Sequence, residues 1–513
     1  MSKKVTSTLA GAFLFLIVVN LLSKGLGFFR EVLFANFFGR GVEFDIYLIG
    51  AVIPIIINTV VLYIGQNYFI PGYHKIKSDN SNLTYKFFAV NFIVFIIIGT
   101  IISVILYFLS ETIITAYLHT ADESIKEIAI DIFRLFLITI PLMFAISILT
   151  AYEQAEFRFK YPAIAGLFLN LAMIPILLIF TSMFGIYTIP IGFIFGTFFQ
   201  FIYLSFKVSS RISFESFSFV SKKELFGFFD STILSVILIE SIGQIYLLSD
   251  RYFFASVDQG GLSALSYSFI LFSLPIAVVS LALTTIIFPK FSEIINSKSF
   301  EKLQDIFSDS IRVNLLFFVP IAFLFFYYGD TILKLVFERG KFTGTDTLDT
   351  FITLKVYTIS LIFYSAYSIL NKVFYSAKFV NYLLIITICG IAIKIFLNFF
   401  LVGIWQQNGL ALSTSFSFIF IFFASFILIH KILPLNNSGL FIKELTFQLV
   451  NGFISYFIVE VILNSVNTHN ILIDIIKIIL YLFVFLLNTF IMGNKSLVII
   501  KKLFSTMRTA KSI

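Results

Sequence analysis

The chain has 513 residues, of which 59% are hydrophobic and 12% charged, with a mean hydropathy of +1.00; a soluble domain carries about a quarter charged residues, so a water-soluble fold is excluded and an integral membrane protein is indicated. The formal net charge of +8 is explained by the Lys and Arg that orient membrane proteins, which leaves nucleic-acid binding without support. The single cysteine, Cys389, excludes an intrachain disulfide, and His74, His119, His430 and His469 show no metal-ligand spacing, so metal catalysis is not indicated.

Apolar runs about 20 residues long, enough to cross a bilayer core, succeed one another along the chain. They lie at Leu9 to Phe29, Ile46 to Ile70, Phe87 to Phe108, Ile128 to Thr150, Tyr161 to Phe180, Tyr187 to Phe206 and Leu225 to Leu248. Further runs follow at Leu262 to Phe288, Val313 to Val336, Phe351 to Tyr375, Tyr382 to Val402, Leu410 to Ile429, Leu445 to Leu463 and Leu472 to Ile491. The pattern predicts an all-α integral membrane protein of about fourteen transmembrane helices. The first run continues through Phe29 without a small-x-small cleavage site, so it is read as a retained helix. The breaks between runs are too short for a soluble domain.

Loops after even-numbered spans are basic, with Lys75, Lys77, Arg158, Lys160, Lys207, Arg211, Lys222, Lys223, Lys290, Lys298, Lys302, Lys372 and Lys378. The opposite loops include the acidic Asp122, Glu123 and Glu127, and the tails add Lys3, Lys4, Lys495, Lys501, Lys502 and Arg508. Both termini are therefore expected in the cytoplasm, which requires an even number of spans.

The second half echoes the first. Phe34-Ala35-Asn36 and Pro54 correspond to Phe254-Ala255-Ser256 and Pro275, Ile70-Pro71-Gly72-Tyr73 to Phe288-Pro289-Lys290-Phe291, and Ser147-Ile148-Leu149 to Ser368-Ile369-Leu370. The common offset, near six helices, predicts two six-helix lobes in parallel orientation around a central cavity, as in transporters built from parallel repeats. The expected division is residues 1–224, 225–432 and 433–513, the last holding two additional helices and a basic tail.

Charge enters the membrane in the first span, as Ser23-Lys24-Gly25-Leu26-Gly27-Phe28-Phe29-Arg30-Glu31. An ionisable group at membrane depth costs at least a few kcal/mol and is retained where it meets a partner or a watery cavity. Lys24 and Glu31, seven apart, share a helix face. Lys24 and Arg30 are candidates for drawing in an anionic head group, Arg being suited to forked phosphate contacts; the structural alternative for Arg30 and Glu31 is snorkelling to an interface. Asp45 opens the second span, where an acidic residue suits a cap or a dipole partner. Glu240, Asp250, Arg251, Lys355 and Lys394 are candidate coupling or cavity residues, with Asp250 and Arg251 read as a compensated pair at the outer mouth. Asp474 and Lys477, three apart, are expected to pair. Arg339-Gly340-Lys341-Phe342-Thr343 lacks the full P-loop pattern, and no nucleophile elbow occurs, so enzymatic activity is not expected.

Ser23 to Glu31, then Phe38-Gly39, Asp45, Pro54 and Phe69-Ile70-Pro71, together with Val336-Phe337-Glu338-Arg339-Gly340-Lys341-Phe342-Thr343, resemble the MurJ (MviN) lipid II flippase family of the multidrug, oligosaccharidyl-lipid and polysaccharide exporter superfamily. The resemblance implies movement of an undecaprenyl-pyrophosphate-linked saccharide, lipid II first, from inner to outer leaflet by alternating access in a bacterial cytoplasmic membrane. It implies peptidoglycan synthesis as the process, membrane lipids and cell-envelope machinery as partners, and no cofactor beyond Na+, H+ or membrane-potential coupling. Substrate contacts would come from Lys24, in place of a family arginine, from Arg30, which matches one, from Glu31, in place of an aspartate, from Asp45 and from Asn58. Asn58-Thr59 and Ile270 stand where the family usually has arginines. The alternative readings are a flippase for O-antigen or exopolysaccharide repeat units and, behind it, a cation-coupled drug exporter.

Overall fold

The structure is a computed structural model that describes residues 3–79, 83–209, 231–297, 299–435, 439–463 and 471–499. Arg211, Lys222, Lys223, Lys298, His469, Lys501, Lys502 and Arg508 lie outside the described residues. Among the described residues every regular element is a helix, as a bilayer demands, because each backbone N–H and C=O must be satisfied within its own segment. In chain order these are α1 (Lys3–Phe38), α2 (Val42–Ile64), α3 (Ile70–Asp79), α4 (Thr84–Tyr117), α5 (Glu123–Leu137), α6 (Thr139–Ala155), α7 (Lys160–Phe184), α8 (Thr188–Ser209) and α9 (Ser231–Tyr252). They continue as α10 (Gly261–Pro275), α11 (Leu281–Asn296), α12 (Phe300–Tyr327), α13 (Gly329–Phe337), α14 (Gly344–Ser376), α15 (Val380–Ile432), α16 (Gly439–Leu463) and α17 (Ile471–Ile491).

Two stretches are too long for one crossing. α15 has 53 residues, about 80 Å at 1.5 Å per residue, against a hydrocarbon core of about 30 Å. It turns back at Gln406, whose φ of 49° and ψ of −129° break the helix. α7 and α8 are likewise separated by the 3-10 turn Gly185–Tyr187, which starts on Gly185 at φ 52°. With these two hairpins, and with α2–α3, α5–α6, α10–α11 and α12–α13 each forming one crossing, the helices correspond to the fourteen expected spans.

Contacts divide the chain into two compact units, Met1–Ser263 with Arg339–Phe342, and Ala264–Glu338 with Thr343–Ile513. In the first unit, α2 lies against α5 and α6, α1 against α7, and α9 against α2. Close approach depends on glycine: a Cβ on Gly50 would lie 2.8 Å from the Ala129 oxygen, and one on Gly65 2.7 Å from Ser147 Oγ. Phe34, Phe44, Tyr47 and Phe136 form an aromatic chain through this core. At one rim, Tyr73 Oη and Lys77 both donate to Glu156, with Arg158 Nη2 3.7 Å from its other oxygen. Burial pushes the Glu156 carboxyl up, but these three donors hold it below its ordinary value.

In the second unit, α14 packs on α12, α15 and α11, and α16 bridges α12 and α17. Tyr364 stacks on Phe418 at 4.0 Å, and Phe272 continues the stack. Lys477 of α17 does not pair with Asp474; its Nζ reaches Glu460 Oε2 of α16 at 3.0 Å, and Tyr328 Oη donates to the same carboxylate at 3.1 Å. A carboxylate facing the helix interface has a larger desolvation cost to offset than one beside its own helix neighbour, so the cation turns to it.

The internal repeat is visible in backbone detail. Among the described residues a π-turn follows α2 at Gly65–Phe69 and another follows α10 at Ile276–Ser280, though the second falls earlier than the offset of the echoes would put it. α6 and α14 both end in a Schellman motif on a non-glycine residue, Phe157 at φ 59° and Lys378 at φ 61°. In each, paired bonds close the helix end, Phe157 N to the Gln154 oxygen with Arg158 N to that of Glu153, and Lys378 N to the Tyr375 oxygen with Phe379 N to that of Phe374. Phe157 and Lys378 are separated by about the same interval as the sequence echoes.

Candidate functional site

α1 runs unbroken through its glycines and carries its charges into the first unit. Arg30 donates through Nε at 3.2 Å and Nη2 at 2.6 Å to Glu31 Oε1, and through Nη1 at 3.1 Å to Asn170 Oδ1 of α7. Its guanidinium also lies 5.6 Å from the Phe34 ring and 5.5 Å from the Phe193 ring. The Arg30 and Glu31 side chains are 17% and 16% exposed, so the pair is screened far less than a surface salt bridge. Asn170 Nδ2 donates in turn to the Ser23 oxygen at 3.4 Å, which fastens α7 to the charged turn of α1. Lys24, nearly two turns from Arg30, is exposed and makes no hydrogen bond, ion pair or ring contact among the described residues.

Asp45 is fully buried, and it is not the cap of its own helix. Gly41 occupies that position without a side-chain bond. The Asp45 carboxylate instead accepts from Gly260 N at 2.8 Å, Ser263 N at 2.6 Å and Ser263 Oγ, all within the first unit. It therefore caps the first turn of α10, where backbone donors lack helical acceptors and the dipole favours a negative charge. Asp250 and Arg251, at the end of α9, are 6% and 5% exposed, so they are buried rather than at an open mouth. The Arg251 charge acts on Asp45.

Asn58 donates to Thr139 Oγ1 of α6 at 2.8 Å, while its buried Oδ1 meets no donor among the described residues. The Arg339–Phe342 turn docks on the end of α1: Lys341 N donates to the Asn36 oxygen at 2.8 Å. Gly340 at φ 58° and Gly39 at φ 61° face this contact, and a Cβ on them would lie 2.3 Å from the Asn36 oxygen and 2.5 Å from the Lys341 oxygen.

In the second unit, Lys355 lies 4.1 Å from the Phe351 ring, and Lys394 is 1% exposed in the first leg of α15. Cys389 is exposed on the same leg. The Glu240 side chain lies outside the described residues. The structure thus joins Arg30 with Glu31, and Asp45 with the start of α10, but gives no direct bond between these two clusters. Asn170 and Ser263 escaped the sequence reading. The signal for Asn170 was available, since a carboxamide in the midst of Leu169 and Leu171 is a polar group at membrane depth.

This arrangement has known counterparts. The family model described as lipid II flippase MurJ matches residues 34–504. A protein of Borreliella burgdorferi named probable lipid II flippase MurJ is 27% identical over 89% of this chain and 88% of its own length. One of Thermotoga maritima with the same name is 25% identical over 77% and 80%. Among solved structures, a lipid II flippase MurJ in an inward closed conformation superposes with a TM-score of 0.78 at 22% identity, covering 93% of this chain and 98% of its own. An inward-facing multidrug MATE transporter of the MOP superfamily gives 0.68 at 12% identity over 82% and 98%, showing that the helical architecture is shared more widely than the sequence. A match that runs from the end of α1 through the Asp45 cap and the Gly340 turn to the last helix places this multi-pass membrane chain in the lipid II flippase MurJ family.

Proposed function

We propose that the chain flips lipid II, the undecaprenyl-pyrophosphate-linked peptidoglycan precursor, from the inner to the outer leaflet of a bacterial cytoplasmic membrane by alternating access, with both termini in the cytoplasm. The family match over residues 34–504 carries this reading. The local chemistry supports it. Arg30 is held within the membrane span by a carboxylate and a carboxamide, both of which a pyrophosphate can replace through the same forked donors. Glu31 is then the resident counter-ion that keeps Arg30 neutralised until an anion of higher charge displaces it, and exposed Lys24 supplies a second cation nearly two turns away. No observation favours O-antigen repeat units or cationic drugs; a cationic cargo would want acid where this span offers Lys24 and Arg30.

Complementation tests the proposal. In a host depleted of its own lipid II flippase, the wild-type chain restores growth, and Arg30→Ala combined with Lys24→Ala abolishes rescue at equal membrane expression. Failure of a well-expressed, membrane-inserted wild type overturns the reading.

A further inference from the structure

A hollow of about 600 Å³ with no α1 residue in its wall opens on the surface of the first unit, lined by residues that include Val104, Tyr107, Asp131, Arg134, Ile138 and Tyr187. Its depth in the bilayer follows from α4. From Lys86 to Tyr107 the helix rises about 30 Å, the thickness of the hydrocarbon core, so Tyr107 and the adjoining Glu111 stand at head-group level. Below them Ile97, Ile101 and Val104, continued by Phe108 at the level of Tyr107, form one exposed stripe, 51%, 52%, 49% and 78% accessible, that leads along α4 to the hollow.

The polar wall is incompletely used. Arg134 donates through Nε to Ser110 Oγ at 2.9 Å and through Nη2 to Glu111 Oε1 at 3.0 Å, and its guanidinium lies 4.8 Å from the Tyr107 ring. Its Nη1 bonds to no described residue. Asp131 receives one long bond, from Tyr187 Oη to Oδ2 at 3.4 Å, and Oδ1 accepts none among the described residues. Asp131 and Arg134 are three apart and so share a face of α5. A negative and a positive group stand side by side at head-group level, above an apolar stripe.

We propose that this hollow seats one phospholipid with a primary-amine head group: its ammonium on Asp131, its phosphate on Arg134 and one acyl chain along the α4 stripe. Residues three apart on a helix stand about 5–6 Å apart at Cβ, the scale of the separation that an ethanolamine sets between phosphate and nitrogen. A choline head group would present the same phosphate but no N–H for the Asp131 carboxylate. Continuity with the exposed stripe favours a lipid over a soluble amine. The site does not depend on which cargo the protein moves.

Native mass spectrometry of the purified full-length chain, in micelles doped equally with phosphatidylethanolamine and phosphatidylcholine, tests this. Wild type is expected to retain the ethanolamine lipid roughly tenfold over the choline lipid, the worth of one charge-assisted hydrogen bond. Asp131→Asn brings the ratio close to parity, and Tyr187→Phe, which leaves the Asp131 charge in place, preserves it. Val104→Trp, which fills the exposed hollow, removes retention of both lipids. Equal retention of the two lipids by wild type overturns the proposal, as does an ethanolamine preference that survives Asp131→Asn and Val104→Trp.

Discussion

Three donors converge on the Asp45 carboxylate, and it is fully buried. Replacing it by alanine strands two backbone N–H groups and a hydroxyl in a place water does not reach, where each unsatisfied group costs about 1–3 kcal/mol. Asp45→Ala should therefore lower stability by roughly 3 kcal/mol or more, and Asp45→Asn, which keeps one acceptor oxygen, by clearly less. Thermal unfolding of the detergent-purified protein reads both, and an unchanged transition in Asp45→Ala would contradict the cap assignment. The sequence singled out Asp45 but attached it to its own helix, because its partner at Gly260 is 215 residues away. The same holds for Lys477, whose nearest acid in sequence lost to Glu460 on the facing helix. Arg30 and Glu31, being adjacent, were legible as a pair, whereas Asn170, which completes them, lies 140 residues from Arg30.

Helix ends repeat where the sequence echoes. Phe157 and Lys378 hold the left-handed position of two matching Schellman motifs, a backbone state that favours glycine. Lys378 is exposed, so Lys378→Gly removes the left-handed penalty of about 1–2 kcal/mol at the expense of roughly 0.4–1 kcal/mol of added unfolded-state entropy. The expected net gain is about 0.5–1 kcal/mol, seen as a modest rise in unfolding temperature; a fall would mean that the Lys378 side chain contributes more than its backbone state costs. Hydrophobic runs gave the helices well, since a span needs about 20 apolar residues whatever it packs against. They could not give the π-turns at Gly65–Phe69 and Ile276–Ser280 or the subdivision of α5 from α6, because these are local departures within continuous apolar stretches.

For the molecule as a whole, the proposed orientation places Lys75 inside and Asp122 outside. Cys389→Ser removes the one native thiol, so single cysteines can then report sidedness. In intact cells a membrane-impermeant thiol reagent should label Asp122→Cys without permeabilisation and Lys75→Cys only after it. The reverse pattern would invert the topology, and with it the direction of transport from the charged turn of α1. The basic loops that motivate this orientation are a property of sequence alone, because Lys and Arg bias insertion before any tertiary contact forms.

By itself the sequence determined the membrane class, the fourteen crossings, the parallel echo of the two halves and the family resemblance at Ser23 to Glu31. Each of these depends on local composition or on short motifs read along the chain. Tertiary structure alone decided which groups satisfy the intramembrane charges: Asn170 for Arg30, the first turn of α10 for Asp45, Glu460 for Lys477. In a medium without water, a charge is held by whichever donor or acceptor the packing of distant helices delivers to it, and that delivery is not written in the spacing of neighbouring residues.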